Sequence, residues 1–65
     1  MNGIIYSGRN VVIRQLPNDR SVYGHYANGW VITDPSDDEE ISAPFKWIED
    51  AEVYAWDMGW EVVAP

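Results

Sequence analysis

The chain has 65 residues, no cysteine and a formal charge of −7, so one small domain is expected, without a disulfide framework or a thiolate metal site. Four Trp, four Tyr and one Phe supply large apolar areas, which argues against a disordered acidic tail. The acidic balance steers the protein toward basic surfaces and away from nucleic acid and anionic membrane.

No signal-peptide pattern and no apolar run of membrane-spanning length is visible, so a soluble, cytoplasmic protein is expected. The charge is unevenly distributed. Residues 1–33 carry three arginines against one aspartate, a balance of +2, whereas residues 34–65 carry ten acids against Lys46, a balance of −9.

In chain order, Gly3–Ser7 reads as a short strand and Val11–Leu16 as a second, ending at Pro17, which cannot donate to a ladder. Leu16-Pro17-Asn18-Asp19 suits a type I turn. Ser21–Ala27 reads as a third strand, and Asn28-Gly29 as the hairpin turn leading into Trp30–Thr33. Residues 1–33 are thus expected to form an antiparallel meander. Asp34-Pro35-Ser36-Asp37-Asp38-Glu39-Glu40 follows, five carboxylates in seven residues, and residues 34–42 are expected to be an exposed acidic loop.

Residues 43–65 are expected to hold a helix and a short strand. Ser42 suits a helix N-cap, with Pro44 in the first turn. Trp47, Ile48, Ala51, Tyr54, Ala55 and Met58 then recur at helical spacing, with Gly59 as a stop and Trp60–Val63 as a last strand. A competing reading makes Ala51–Trp56 a strand turned by Asp57-Met58-Gly59. The fold expected is α+β: a small antiparallel sheet of three to five short strands packed by one helix near residues 43–58. The expected core is Ile5, Val11, Ile13, Tyr26, Trp30, Ile32, Ile48, Ala51, Ala55 and Val62, and Ile48→Ala is expected to be costly if that side chain is buried.

No residue pattern points to catalysis. His25 is the only histidine and reads as a structural or surface side chain. The serines lie in turns or caps without a nucleophile-elbow context, and the glycines form no phosphate-cradling loop. The acid run lacks the alternating spacing and central glycine of an EF-hand. No enzyme, metal site or cofactor is expected.

The candidate partner-binding residues are Asp34, Asp37, Asp38, Glu39 and Glu40 in the loop, with Glu49, Asp50, Glu52, Trp56 and Asp57 on the helix. In an extended backbone, the loop would advance about 3.3 Å per residue, close to the roughly 3.4 Å per phosphate of a DNA strand. Such a row could occupy a protein groove built from Lys and Arg; the alternative is a solvated loop. On the helical projection, Val53 and Trp56 fall among Glu49, Glu52, Asp50 and Asp57. That arrangement resembles an interface centre with a charged rim, while a domain that covers both helix faces is the other reading.

In size, acidity, lack of cysteine and lack of catalytic motifs, the chain resembles small phage-encoded anti-CRISPR proteins, several of which act as DNA mimics. Asp34–Glu40 and Glu49–Asp57 fit that style. The resemblance implies an inhibitor, without cofactor or turnover, that blocks the DNA-binding surface of a type I effector complex such as type I-C; a monomer is expected. Two other readings stand beside it: a DNA mimic aimed at another host nucleic-acid enzyme, and an interaction module of phage or mobile-element origin that binds through exposed aromatics.

Overall fold

The computed structural model describes residues 8–63. The expected strand Gly3–Ser7 and the expected core residue Ile5 lie outside them. The described chain is α+β. Its elements are β1 (Asn10–Gln15), α1 (Arg20–Tyr23), a 3-10 turn (Gly24–Tyr26), β2 (Trp30–Thr33), α2 (Ile48–Asp57) and β3 (Glu61–Val62). The sheet has the order β2-β1-β3. β1 pairs antiparallel with β2, placing Ile13 opposite Ile32 and Arg14 opposite Val31. It pairs parallel with β3, placing Val11 opposite Val62. The sheet is therefore mixed rather than wholly antiparallel. α2 carries the chain from β2 across β1 to the far edge, and this crossover reverses the direction of the last strand.

The expected meander fails at Ser21–Ala27, which is helical as far as Tyr26. Asp19 decides this locally: its carboxylate accepts hydrogen bonds from the Ser21 amide at 3.0 Å and the Ser21 hydroxyl at 2.5 Å. This N-cap outweighs the strand propensity of Val22 and Tyr23. Leu16–Asp19 accordingly leads into α1 instead of closing a type I turn. Asn28 does adopt a positive φ of 62°, but it ends the helical excursion, and the antiparallel partner of β2 is β1.

α2 confirms the helical reading of residues 48–57 over the strand reading. It starts later than expected, with Trp47 in the N-cap position. Ser42 does not cap it; its hydroxyl accepts from the Ile32 amide at 3.1 Å and donates to the Ala43 carbonyl at 2.9 Å. Gly59 ends the helix at φ 78°, where Trp60 N–H reaches the Ala55 carbonyl at 2.9 Å, a left-handed stop that glycine adopts freely.

Ala51 and Ala55 are fully buried against Val11 and Ile32, with Ile13, Trp30, Ile41, Phe45, Trp60 and Val62 packed around them. Alanine at both positions lets the helix axis approach the sheet closely. Tyr26 is not core but 41% exposed, because its segment is helical, and Ile48 is only partly buried. The second face of the sheet also buries side chains that the sequence reading omitted: Val12, Leu16, Val31 and Thr33. Thr33 satisfies its buried hydroxyl by donating to the Val12 carbonyl at 3.1 Å, as burial of a polar group requires. Among the described residues, no helix is long and apolar enough to cross a membrane.

Candidate functional site

The acidic segment emerges directly from β2 and returns beside it. Thr33 forms an antiparallel bridge with Glu40, and Trp30 forms one with Phe45. Residues 40–45 therefore cover the outer edge of β2, a position that would otherwise expose unpaired backbone groups. Inside the Thr33–Glu40 bridge the chain is a folded turn. Asp34 N–H donates to the Glu39 carbonyl at 2.9 Å, and Asp38 N–H donates to the Asp34 carbonyl at 2.8 Å. Asp38 has a φ of 59°, a left-handed conformation that aspartate tolerates better than most residues. The extended run, advancing about 3.3 Å per residue, is not the observed geometry.

Side chains organise the same turn. Asp34 Oδ1 accepts from the Ser36 amide at 2.8 Å and the Ser36 hydroxyl at 2.6 Å, while Asp34 Oδ2 accepts from Arg9 at 2.9 Å. These interactions, the Ser36 hydroxyl foremost, hold the Asp34 carboxyl down at about 2. Asp37 accepts from the Glu39 amide at 3.0 Å. Asp38 forms an ion pair with Arg14 at 2.7 Å. By strand alternation, Arg9 and Arg14 project from opposite faces of the chain that forms β1, so the turn is gripped from both sides. The Arg9 guanidinium also lies 5.4 Å from the Trp60 ring centroid, within cation–π range.

The candidate loop acids thus divide by role. Asp34 and Asp38 are tied to arginines, whereas Asp37, Glu39 and Glu40 are exposed and make no ion pair among the described residues. Sequence reading missed the two arginines because they lie 25 and 24 residues away. The available signal was the small positive excess of the first half against the acidic second half.

On α2, Glu49, Asp50 and Asp57 are exposed and Glu52 is half-buried, and none of the four forms an ion pair among the described residues. Glu49 and Asp50 occupy the first turn, where the helix dipole favours negative charge. Val53 is 50% exposed and Trp56 63% exposed. The helix therefore covers only one of its faces within the described chain, and the Val53–Trp56 face lies outward. Trp47, 59% exposed, has the Lys46 ammonium 5.7 Å from its ring centroid. No group of three or more His, Asp or Glu side chains among the described residues is arranged to hold a metal ion.

Comparison with protein-family models, curated proteins and solved structures finds no match for this chain.

Proposed function

We propose that this chain is a non-enzymatic inhibitor that occupies the basic, nucleic-acid-binding surface of a protein partner and competes there with DNA. The observation that carries the reading is the disposition of charge. Asp37, Glu39 and Glu40 at the turn, and Glu49, Asp50, Glu52 and Asp57 on α2, have no cationic partner among the described residues. The turn that presents the first three is fastened by Arg9 and Arg14 instead of being left extended. Charge held in place loses less conformational entropy on binding than charge that must first be ordered. The resemblance to small acidic anti-CRISPR proteins makes a type I CRISPR effector complex, type I-C first, the candidate partner.

The test is DNA binding by a purified effector complex, titrated with the wild-type protein and with a variant carrying Asp37→Asn, Glu39→Gln and Glu40→Gln. Wild type should displace duplex DNA, less effectively as salt rises, and the variant should lose most of this effect. Equal blocking by both proteins, or no competition by wild type, would refute the proposal.

The outward Val53–Trp56 face favours a second reading, an interaction module that binds through α2. An apolar contact of that kind survives high salt, which separates it from charge mimicry in the same titration.

A further inference from the structure

The outward face of α2 is built against the helix's own stability. Val53 and Trp56, three residues apart, are neighbours on one face and are 50% and 63% exposed. Both form helix less readily than alanine, glutamate or lysine, and neither offsets this by full burial within the described chain. Acids border the pair at helical spacing. Glu49 and Glu52 lie one turn N-terminal to Val53 and Trp56, and Asp50 and Asp57 lie on the far side of Val53. Glu49 and Glu52 repel each other across three residues. Asp57 closes the helix in a last turn that holds no basic residue, where the helix dipole disfavours negative charge. Lys46 is the only base in residues 34–65; it lies over Trp47 and pairs with none of these four acids.

We propose that this face docks on a basic amphipathic helix of the protein partner. Val53 and Trp56 pack on its apolar stripe, and its Lys or Arg side chains meet the bordering acids. A helix supplies the required pattern, an apolar stripe with charges along both borders, as in the seam of a coiled coil. The ten residues of α2 span about 15 Å, room for roughly three turns of a partner helix. Tryptophan is enriched at the energetic centre of such contacts. A second copy of the chain has the wrong charge: symmetric pairing through this face would set the same carboxylates against one another. Nucleic acid and anionic membrane have the wrong sign for the same reason. The inference rests on the second reading above, in which α2 binds a partner, and it names that partner's form. It also gives the local penalties a purpose, since a bound cationic helix relieves the Glu49–Glu52 repulsion and the charge of Asp57 together.

The probe is an acetylated peptide amide of leucine and lysine, about 15 residues long so that it can be helical, with its leucines on one stripe. It is titrated into the isotopically labelled full chain at about 0.15 M salt and followed by backbone amide and tryptophan indole signals. Saturable shifts at Glu49, Glu52, Val53, Asp57 and the Trp56 indole are expected, with one common dissociation constant. Trp56→Ala should weaken the peptide about tenfold. Val53→Gln, which places a good helix former at an exposed position, should weaken it less and carries the test should Trp56→Ala unfold. Glu52→Gln should weaken it by up to about fivefold, and Glu61→Gln, which removes a carboxylate of β3, should leave it unchanged. The same peptide with alanine for leucine keeps the charge, loses the stripe and should bind far more weakly. Equal binding by the alanine peptide, undiminished binding to both Trp56→Ala and Val53→Gln, or no saturable binding would overturn the assignment. Shifts centred on residues 34–40 and absent from α2 would remove the reading of α2 as a binding element as well. Dimerisation of the free chain that Trp56→Ala abolishes would give the face to a second copy instead. The wild-type competition with DNA is run separately. Competition without peptide binding removes the helix assignment alone, and peptide binding without competition removes the charge-mimicry reading alone.

Discussion

Arg14 and Asp38 meet at 2.7 Å although 24 residues separate them, and Asp38 reaches Arg14 from a left-handed backbone conformation. The four adjacent acids of the turn are therefore not equivalent. Neutralising Asp37, Glu39 and Glu40 relieves repulsion and breaks no ion pair, so the triple variant should melt at or slightly above the wild-type temperature. Adding Asp38→Asn removes the Arg14 partner but keeps a side chain that tolerates positive φ, and should lower the melting temperature modestly. Asp38→Ala should lower it further, because alanine is strained there. Thermal denaturation of the three variants distinguishes these outcomes.

Asp34 should make the acid limb of stability distinctive. Its folded pKa of about 2 lies below the ordinary 3.8, so the unfolded chain takes up the proton first as pH falls. The stabilisation is fully present above the ordinary value and is lost as pH drops toward the folded value. The stability difference between wild type and Asp34→Asn should be flat at neutral pH and shrink between about pH 4 and pH 2. Urea titrations at stepped pH would measure it; a difference that persists unchanged to pH 2 contradicts the assignment.

Gly29 is sterically confined in the connection between α1 and β2. A Cβ there would sit 2.5 Å from the Phe45 carbonyl oxygen and 2.7 Å from that of Tyr26. Both are backbone atoms already engaged in hydrogen bonds, with Trp30 N–H and Gly29 N–H respectively. Gly29→Ala should destabilise by about 1–3 kcal/mol or more through overpacking, read as a lower urea midpoint.

Ile32 and Trp56 should behave in opposite ways. Ile32 is fully buried in the helix–sheet core, and its truncation to alanine should cost about 2–5 kcal/mol. A domain of this size has little more than that to lose. Trp56 is 63% exposed, and Trp56→Ala should leave the melting temperature nearly unchanged. A large loss of stability at Trp56 would contradict its outward placement.

Much of α2 was legible in the sequence, because Ala51 and Ala55 sit at the centre of a 3.6-residue apolar stripe and Gly59 marks its end. β1 and β2 were legible as β-branched runs. Ser21–Ala27 was misread because Val22, Tyr23 and Tyr26 favour strands, while the deciding interaction is a single Asp19 cap two residues from Ser21. The parallel pairing of β3 could not be read, since a two-residue strand carries no sign of its partner. For the candidate site, the acids themselves were evident. Their folded turn depends on Arg9 and Arg14, whose proximity to the loop is a product of the β1–β2 register and not of any local pattern.

The pairing of Val11 with Val62 has a consequence for how the protein is made. β1 is the central strand, yet its second neighbour lies some fifty residues downstream. On a translating ribosome, Val11 and the open side of β1 must wait for residues 61–63, several seconds at roughly 5–20 residues per second. Throughout that interval the nascent chain is exposed to proteases and to association with its own copies. Distant pairing of this kind also slows folding, so the yield of native protein in the cell should respond to translation rate and chaperone supply as much as to the equilibrium stability of the finished domain.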